Sequence, residues 1–166
     1  MPEMNKIIYR EQVVPKDREA VGRLVRETGF FSKEEVAIAA ELVDERLAKG
    51  EASGYFFLFA EEEGHLLGYT CFGPIPGSVH SYDLYWIAVE PNAQGRDLGK
   101  KLMAGSERIM AGHGARRVYA DTSSRPQYEP TRAFYRSCGY TQEALLADFY
   151  AADDGKVIFV KTLSTI

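Results

Sequence analysis

The chain has 166 residues, 45% of them hydrophobic and 27% charged, with a formal net charge of -4 at pH 7. That length suits a single domain, 1–166, able to bury roughly 70% of the surface its unfolded chain exposes. The acidic balance disfavours a nucleic-acid partner, no apolar run is long enough to cross a bilayer, and Met1–Arg10 has no secretory core, so a cytoplasmic protein is expected. Only two cysteines occur, Cys71 and Cys138. Both are expected as buried small apolar residues, without a disulfide framework or a metal site.

In chain order, Lys6–Arg10 reads as a short strand. Pro15 and Asp17 open a helix with Val21, Leu24 and Val25 on one face. Ser32-Lys33-Glu34-Glu35 is a capping box, and the helix it starts carries Val36, Ala39, Ala40, Val43 and Leu47 at helical spacing before ending by Gly50. Tyr55–Ala60 reads as a fully buried strand. Glu62-Glu63-Gly64 turns it into a second strand at Leu66–Phe72. Gly73-Pro74-Ile75-Pro76-Gly77 is a stiff loop, followed by a strand at Tyr82–Val89. A helix from Leu98 to about Met110 should turn Leu98, Leu102 and Ile109 inward. Arg117–Thr122 is a strand, and Pro130–Cys138 a helix closed by Gly139. Leu145–Tyr150 and Lys156–Thr162 flank Asp154-Gly155, a hairpin signal. The order β-α-α-β-β-β-α-β-α-β-β predicts an α+β fold, with a mixed, mostly antiparallel central sheet flanked by helices.

The segment from Leu84 to Leu102 is the most informative. An apolar strand stops at Pro91, and a turn containing Gln94, Gly95, Arg96 and Asp97 leads into the helix at Leu98-Gly99-Lys100. Such a junction aims unpaired main-chain N–H groups and the positive end of a helix dipole at one point, which suits a pyrophosphate. An ordinary connection whose glycines only make the turn fits the same residues. Charge is uneven along the chain. Arg96, Lys100, Lys101, Arg108, Arg116 and Arg117 gather around one helix, while Glu61, Glu62, Glu63 and the Asp148–Asp154 region are acidic. That distribution suits a phosphorylated ligand in one place and a cationic substrate in another.

These residues resemble the GNAT superfamily of acetyl-CoA-dependent N-acetyltransferases. The family's phosphate motif, Gln/Arg-x-x-Gly-x-Gly/Ala, falls on Gln94-Gly95-Arg96-Asp97-Leu98-Gly99. Thr131-Arg132-Ala133-Phe134-Tyr135-Arg136-Ser137-Cys138-Gly139-Tyr140 is similar to its second motif. The resemblance implies acetyl-CoA as co-substrate, with the main chain of Ile87, Ala88 and Val89 receiving the pantetheine arm. It further implies that Gln94, Gly95, Arg96, Asp97, Leu98, Gly99 and Lys100 hold the phosphates and that Thr131 and Phe134 lie beside the coenzyme. Two departures stand out: Asp97 replaces the usual Gly, and Pro130 stands where many members have Asn.

Acetyl transfer to an amine needs a base. An alkylamine of pKa near ~10.4 is about 1 part in 2,500 neutral at pH 7, a deficit of roughly 4.6 kcal/mol. Asp83 and Asp121 are the candidates, with His80 a third. A strand-end Asp bonded to main-chain amides would explain either carboxylate equally well. The resemblance places Tyr135 opposite the coenzyme sulfur as hydrogen-bond donor or general acid, although helix periodicity also allows a core Tyr beside Phe134. Acceptor recognition is expected from the first two helices, the loop before Tyr82 and the final hairpin. There Tyr82, Tyr85, Trp86, Tyr128, Phe149 and Tyr150 with Asp148, Asp153 and Asp154 would attract a cation. The expected partner is a small-molecule or peptide amine, without nucleic acid or membrane, and a sheet edge would permit a homodimer. Absence of a well-placed nucleophilic cysteine favours direct transfer in a ternary complex. The alternative function is a non-catalytic acyl-CoA-binding or sensing module.

Overall fold

The computed structural model describes residues 6–163. The elements come in the expected order: β1 (Ile8–Arg10), α1 (Asp17–Glu27), α2 (Lys33–Lys49), β2 (Phe56–Glu62), β3 (His65–Pro74), β4 (Ser81–Val89), α3 (Leu98–Gly112), β5 (Arg117–Ser123), α4 (Glu129–Ser137), β6 (Thr141–Ala151) and β7 (Asp154–Thr162). The strand order is β1-β2-β3-β4-β5-β7-β6. β1–β2, β2–β3, β5–β7 and β6–β7 run antiparallel, whereas β4–β5 is parallel. The fold is therefore the α+β class expected, a mostly antiparallel mixed sheet with four helices. Two compact units divide the described chain: residues 6–73 with 86–106, and 74–85 with 107–163.

In the first unit, alternation along the β2–β3 hairpin decides which helix each face meets. Phe57, Phe59, Tyr69 and Cys71 share a buried cluster with Val21, Leu24 and Val25 of α1 and Val36, Ala39 and Val43 of α2. Gly68, of opposite parity to Tyr69, meets α3. A Cβ there would stand 2.9 Å from Leu102 Cδ1 and 3.1 Å from the Ala88 carbonyl, so only glycine allows this approach. Beside it Thr70 hydrogen-bonds the Ser106 hydroxyl. The hairpin turns on Glu63 (φ 51°) and Gly64 (φ 79°), the left-handed pair that matches the twist of two-residue loops.

The capping box forms as expected. Glu35 N–H donates to Ser32 Oγ at 3.2 Å and Ser32 N–H to Glu35 Oε1 at 3.1 Å. Asp17, in the first turn of α1, is buried. It accepts from Val14 N–H at 2.8 Å and from both terminal nitrogens of Arg10 at 2.9 Å, and Arg10 also reaches Glu61. Some expected core positions differ. Leu47 is exposed, and in the same stretch of α2 it is Arg46 that packs inward, capping the Tyr55 carbonyl and lying on the Phe56 ring. Met103 and Met110 join Leu98 and Leu102 inside α3, and Ile109 is only half-buried.

In the second unit, β7 pairs β5 on one edge and β6 on the other. The expected Asp154-Gly155 turn is not the turn. Ala151 pairs Asp154, so the connection is Ala152-Asp153, with Asp153 left-handed at φ 61°. Asp154 is instead buried, accepting from the Ser123 hydroxyl and pairing with Arg125 Nε at 3.3 Å. Gly155 is needed for close packing: a Cβ would lie 2.9 Å from Leu145 Cδ1 and 3.0 Å from the Leu146 carbonyl. β6 also starts at Thr141, four residues earlier than expected.

α4 ends in a Schellman motif around Gly139 (φ 91°): Tyr140 N–H donates to the Tyr135 carbonyl and Gly139 N–H to that of Arg136, both at 3.0 Å. The Tyr140 hydroxyl and Lys161 both donate to Glu107 at 2.8 Å. Cys71 is buried, as expected, but Cys138, the last cap of α4, is only half-buried.

Candidate active site

The expected site residues fall into two sets, one in each unit. In the first, β4 gives way at Glu90, whose N–H donates to the Leu67 carbonyl at 2.7 Å. A 3-10 turn over Pro91–Ala93 follows, then Gly95 at φ 88° and Asp97 at φ 56°. The first helical bond of α3 is Lys101 N–H to the Asp97 carbonyl at 3.0 Å, which makes Asp97 the N-cap. By helix geometry the amides of Leu98, Gly99 and Lys100 have no i−4 partner. Nothing stands within 4 Å of where a Gly95 Cβ would be, so the turn is open to a bulky ligand. Orphan amides at a helix's positive end, beside a glycine turn, fit the diphosphate of coenzyme A. Asp97 and Lys100 are exposed, and Gln94 with them. Arg96 is less free than its sequence position suggests, because its guanidinium pairs with Glu62 at 2.8 Å. Its main-chain N–H is unaffected by that pairing. Ala88 is buried, and Ile87 and Val89 are half-buried.

The second set gathers around two carboxylates. β4 and β5 keep parallel register from Ser81↔Arg117 to Leu84↔Ala120, and β5 continues to Ser123 paired with β7. Asp83, opposite Tyr119 in that register, is half-buried. Burial first, and the nearby Asp121 carboxylate second, push its carboxyl up to about 6, while Lys156 pulls the other way. Asp121 is more exposed and holds Lys156 Nζ at 3.2 Å. Tyr135 is 6% exposed, its ring centroid 5.5 Å from Phe159, 5.9 Å from Phe134 and 6.0 Å from Tyr140. Burial, with smaller contributions from Asp121 and Cys138, raises its phenol above the usual range. Tyr135 is therefore both packed among aromatic rings and close enough to Asp121 to feel its charge. Thr131 and Phe134 are half-buried on the same helix. His80 is exposed, its Nδ1 3.0 Å from the Gly114 carbonyl.

Two residues that the sequence did not single out complete this second set. Arg132 is 8% exposed and ties α4 to the chain before it, donating to the Ser123 carbonyl at 2.6 Å, the Arg125 carbonyl at 3.0 Å and Glu129 at 2.8 Å. It thereby fixes the helix that carries Tyr135. Lys156 is the other, brought to Asp121 by the β5–β7 pairing. Of the expected aromatic and acidic lining, Tyr82 is buried and reaches the His113 carbonyl at 3.4 Å, Trp86 packs edge-on against Phe31 at 4.9 Å, and Asp154 is internal. Phe149 and Tyr150 remain exposed.

A family model described as "Acetyltransferase (GNAT) family" matches residues 19–140. A crystal structure from Desulfovibrio desulfuricans assigned to that family superposes with a TM-score of 0.95 at 44% identity, covering 96% of this chain and 100% of its own. Mycothiol acetyltransferase of Amycolatopsis mediterranei is 32% identical over 120 residues, 68% of this chain. The chain spans only 39% of that relative's length. PaiA N-acetyltransferase of Thermoplasma acidophilum, solved in complex with coenzyme A, shares the fold at a TM-score of 0.73 and 21% identity, covering 95% of this chain and 99% of that one.

Proposed function

Because the chain belongs to the acetyltransferase (GNAT) family, we propose that it moves an acetyl group from acetyl-CoA to a primary amine, small-molecule or peptide, by direct transfer in a ternary complex. The observation that carries this reading is the placement of Asp83, half-buried opposite Tyr119 in the β4–β5 register with the Asp121 carboxylate near it, where its carboxyl is pushed up to about 6. A proton taken from an alkylammonium of pKa near ~10.4 by an ordinary Asp is uphill by roughly 9 kcal/mol, and by Asp83 roughly 6 kcal/mol. Asp83 is the better base for that reason. Burial raises its carboxyl most, and the negative charge of Asp121, itself ion-paired with Lys156, adds to that.

Acetyl-CoA supplies the activated thioester. In this reading the amides of Gln94, Gly95, Arg96, Asp97, Leu98, Gly99 and Lys100 grip its diphosphate, and main-chain groups of Ile87, Ala88 and Val89 receive the pantetheine arm. Thr131 and Phe134 flank the thiol end. Tyr135 serves the departing thiolate. With its phenol raised by burial, full proton transfer to a thiolate of pKa near ~8.5 would be uphill by more than about 2 kcal/mol, so the residue acts by donating a hydrogen bond. No helix among the described residues is long and apolar enough to cross a membrane, and a cytoplasmic reaction is part of the proposal.

The test is thiol release from acetyl-CoA against a broad amine and peptide panel. Tyr135→Phe is expected to lower turnover at least tenfold, about 1.4 kcal/mol, with the Kd for coenzyme A changed less than about twofold. Unchanged turnover would remove Tyr135 from the reaction. Tight coenzyme binding without thiol release on any amine would point to a sensing module instead.

A further inference from the structure

Lys156 takes no direct part in the transfer described above, yet its ammonium is held as an acceptor amine would be. The reason lies in the β6–β7 hairpin. Its register steps from Leu146↔Lys156 to Ala151↔Asp154, so β6 sets four residues, 147–150, against Gly155 alone. Asp148 sits in this bulge with φ 55°, and its Oδ1 accepts from Asp153 N–H at 2.8 Å. The bulge folds Phe149 over β7. Lys156 Nζ lies 4.7 Å from the Phe149 ring centroid and 3.2 Å from Asp121 Oδ2. Tyr150 braces Phe149 edge-on, with centroids 5.0 Å apart. Lys156 also reaches Asp83 electrostatically, opposing the effect of burial and of Asp121 on that carboxyl. A carboxylate on one side and an aromatic face on another are what recognises an alkylammonium ligand.

We propose that Lys156 is a built-in surrogate for the acceptor: its ammonium occupies the acceptor-amine subsite formed by Asp121 and Phe149, and the acceptor binds by displacing it. The proposal rests on the acetyl-transfer reading and supplies its specificity. A tethered side chain competes at a high effective concentration, so it rejects weak amines until one outbids it. The Lys156 side chain retains 24% of its surface, so its ammonium has a path to swing outward. Asp83 and Asp121 beside the subsite, and Asp148 in the bulge, would repel a carboxylate attached next to the amine. The acceptor class is therefore an alkylammonium without a neighbouring carboxylate, and free α-amino acids are excluded.

Cadaverine reproduces the Lys156 stem and is the probe; n-pentylamine and norleucine, which differ only by the carboxylate beside the amine, are the matched pair. Thiol release at saturating acetyl-CoA is measured for the wild type, Lys156→Met and Lys156→Arg. The Met variant keeps the apolar stem and leaves only Asp121, a half-exposed carboxylate, unpaired. It is expected to lower the KM for cadaverine about tenfold or more while the KM for acetyl-CoA is unchanged, and Arg is expected to stay within about threefold of the wild type. Norleucine should be at least about tenfold poorer than n-pentylamine in all three proteins. A cadaverine KM that is unchanged or raised in Lys156→Met overturns the surrogate role, as does turnover of other amines but not of cadaverine, and the acetyl-transfer reading survives both results. Silence of all three proteins on every amine, with coenzyme A still bound, removes the acetyl-transfer reading itself.

Discussion

Asp83→Asn is expected to lower turnover by about 10²-fold or more while making the protein relatively more stable at alkaline pH. The two effects share one cause. The Asp83 carboxyl is held at about 6 in the folded chain, against 3.8 for an ordinary Asp, by burial and by Asp121. The folded state thus binds this proton more tightly than the unfolded state does. The stability it contributes is fully present below about pH 3.8, declines as pH rises and is gone above about pH 6. About two pKa units correspond to no more than about 3 kcal/mol. Asparagine carries no charge to bury, so the melting temperature of the variant relative to wild type should be higher at pH 8 than at pH 4. In kinetics, the wild-type kcat/KM should climb through about pH 6 as Asp83 ionises, and the variant should lose that limb. A variant that retains full turnover, or an acid limb unchanged by the substitution, would move the base elsewhere, with Asp121 the next candidate.

Asp17→Ala should strongly destabilise the fold, at about 3–5 kcal/mol. Arg10 is only 18% exposed in its side chain and Asp17 2%, so their pairing is largely shielded from water. Asp17 also accepts the Val14 N–H that starts α1, and Arg10 packs over the Phe59 ring at 4.6 Å. Removing the carboxylate leaves a half-buried guanidinium with only Glu61 and the Gln12 carbonyl to answer it. It also leaves one main-chain donor unsatisfied. Chemical denaturation should show the midpoint falling with the slope unchanged. Arg10→Met should cost about as much as Asp17→Ala, because it strands the Asp17 carboxylate, 2% exposed, with the Val14 N–H as its remaining partner.

Much of the fold can be read from local patterns. The Ser32–Glu35 capping box, the Glu63-Gly64 turn and the Gly139 cap each depend on residues within one or two turns of themselves, and all formed where the residues indicate. The same holds for the glycine turn before α3 and for Tyr135 on α4. Asp154-Gly155 misled because one dipeptide serves two physical needs. Glycine marks a tight turn, but here it makes room for the Leu146 carbonyl and Leu145, and the turn lies two residues earlier. Leu47 follows the helical stripe of α2, yet Arg46 covers that end of the helix. Lys156 could not be picked out, because its partner Asp121 lies 35 positions away and meets it only through the pairing of β5 with β7. Arg132 likewise reads as a surface charge until its three acceptors are brought around it.

The bulge in β6 has a consequence for the protein's behaviour at high concentration. β6 ends the strand order, and Leu145, Leu146, Phe149 and Tyr150 are all exposed along it. An outermost strand of that composition, if flat, would be a ready template for intermolecular β-pairing. The insertion at 147–150, with Asp148 turned left-handed, bends the strand and interrupts the row of donors and acceptors another molecule would need. Trimming those residues to regular pairing should therefore leave a chain that folds but sediments as oligomers or fibres, the same kink that shapes Phe149 being what breaks the template.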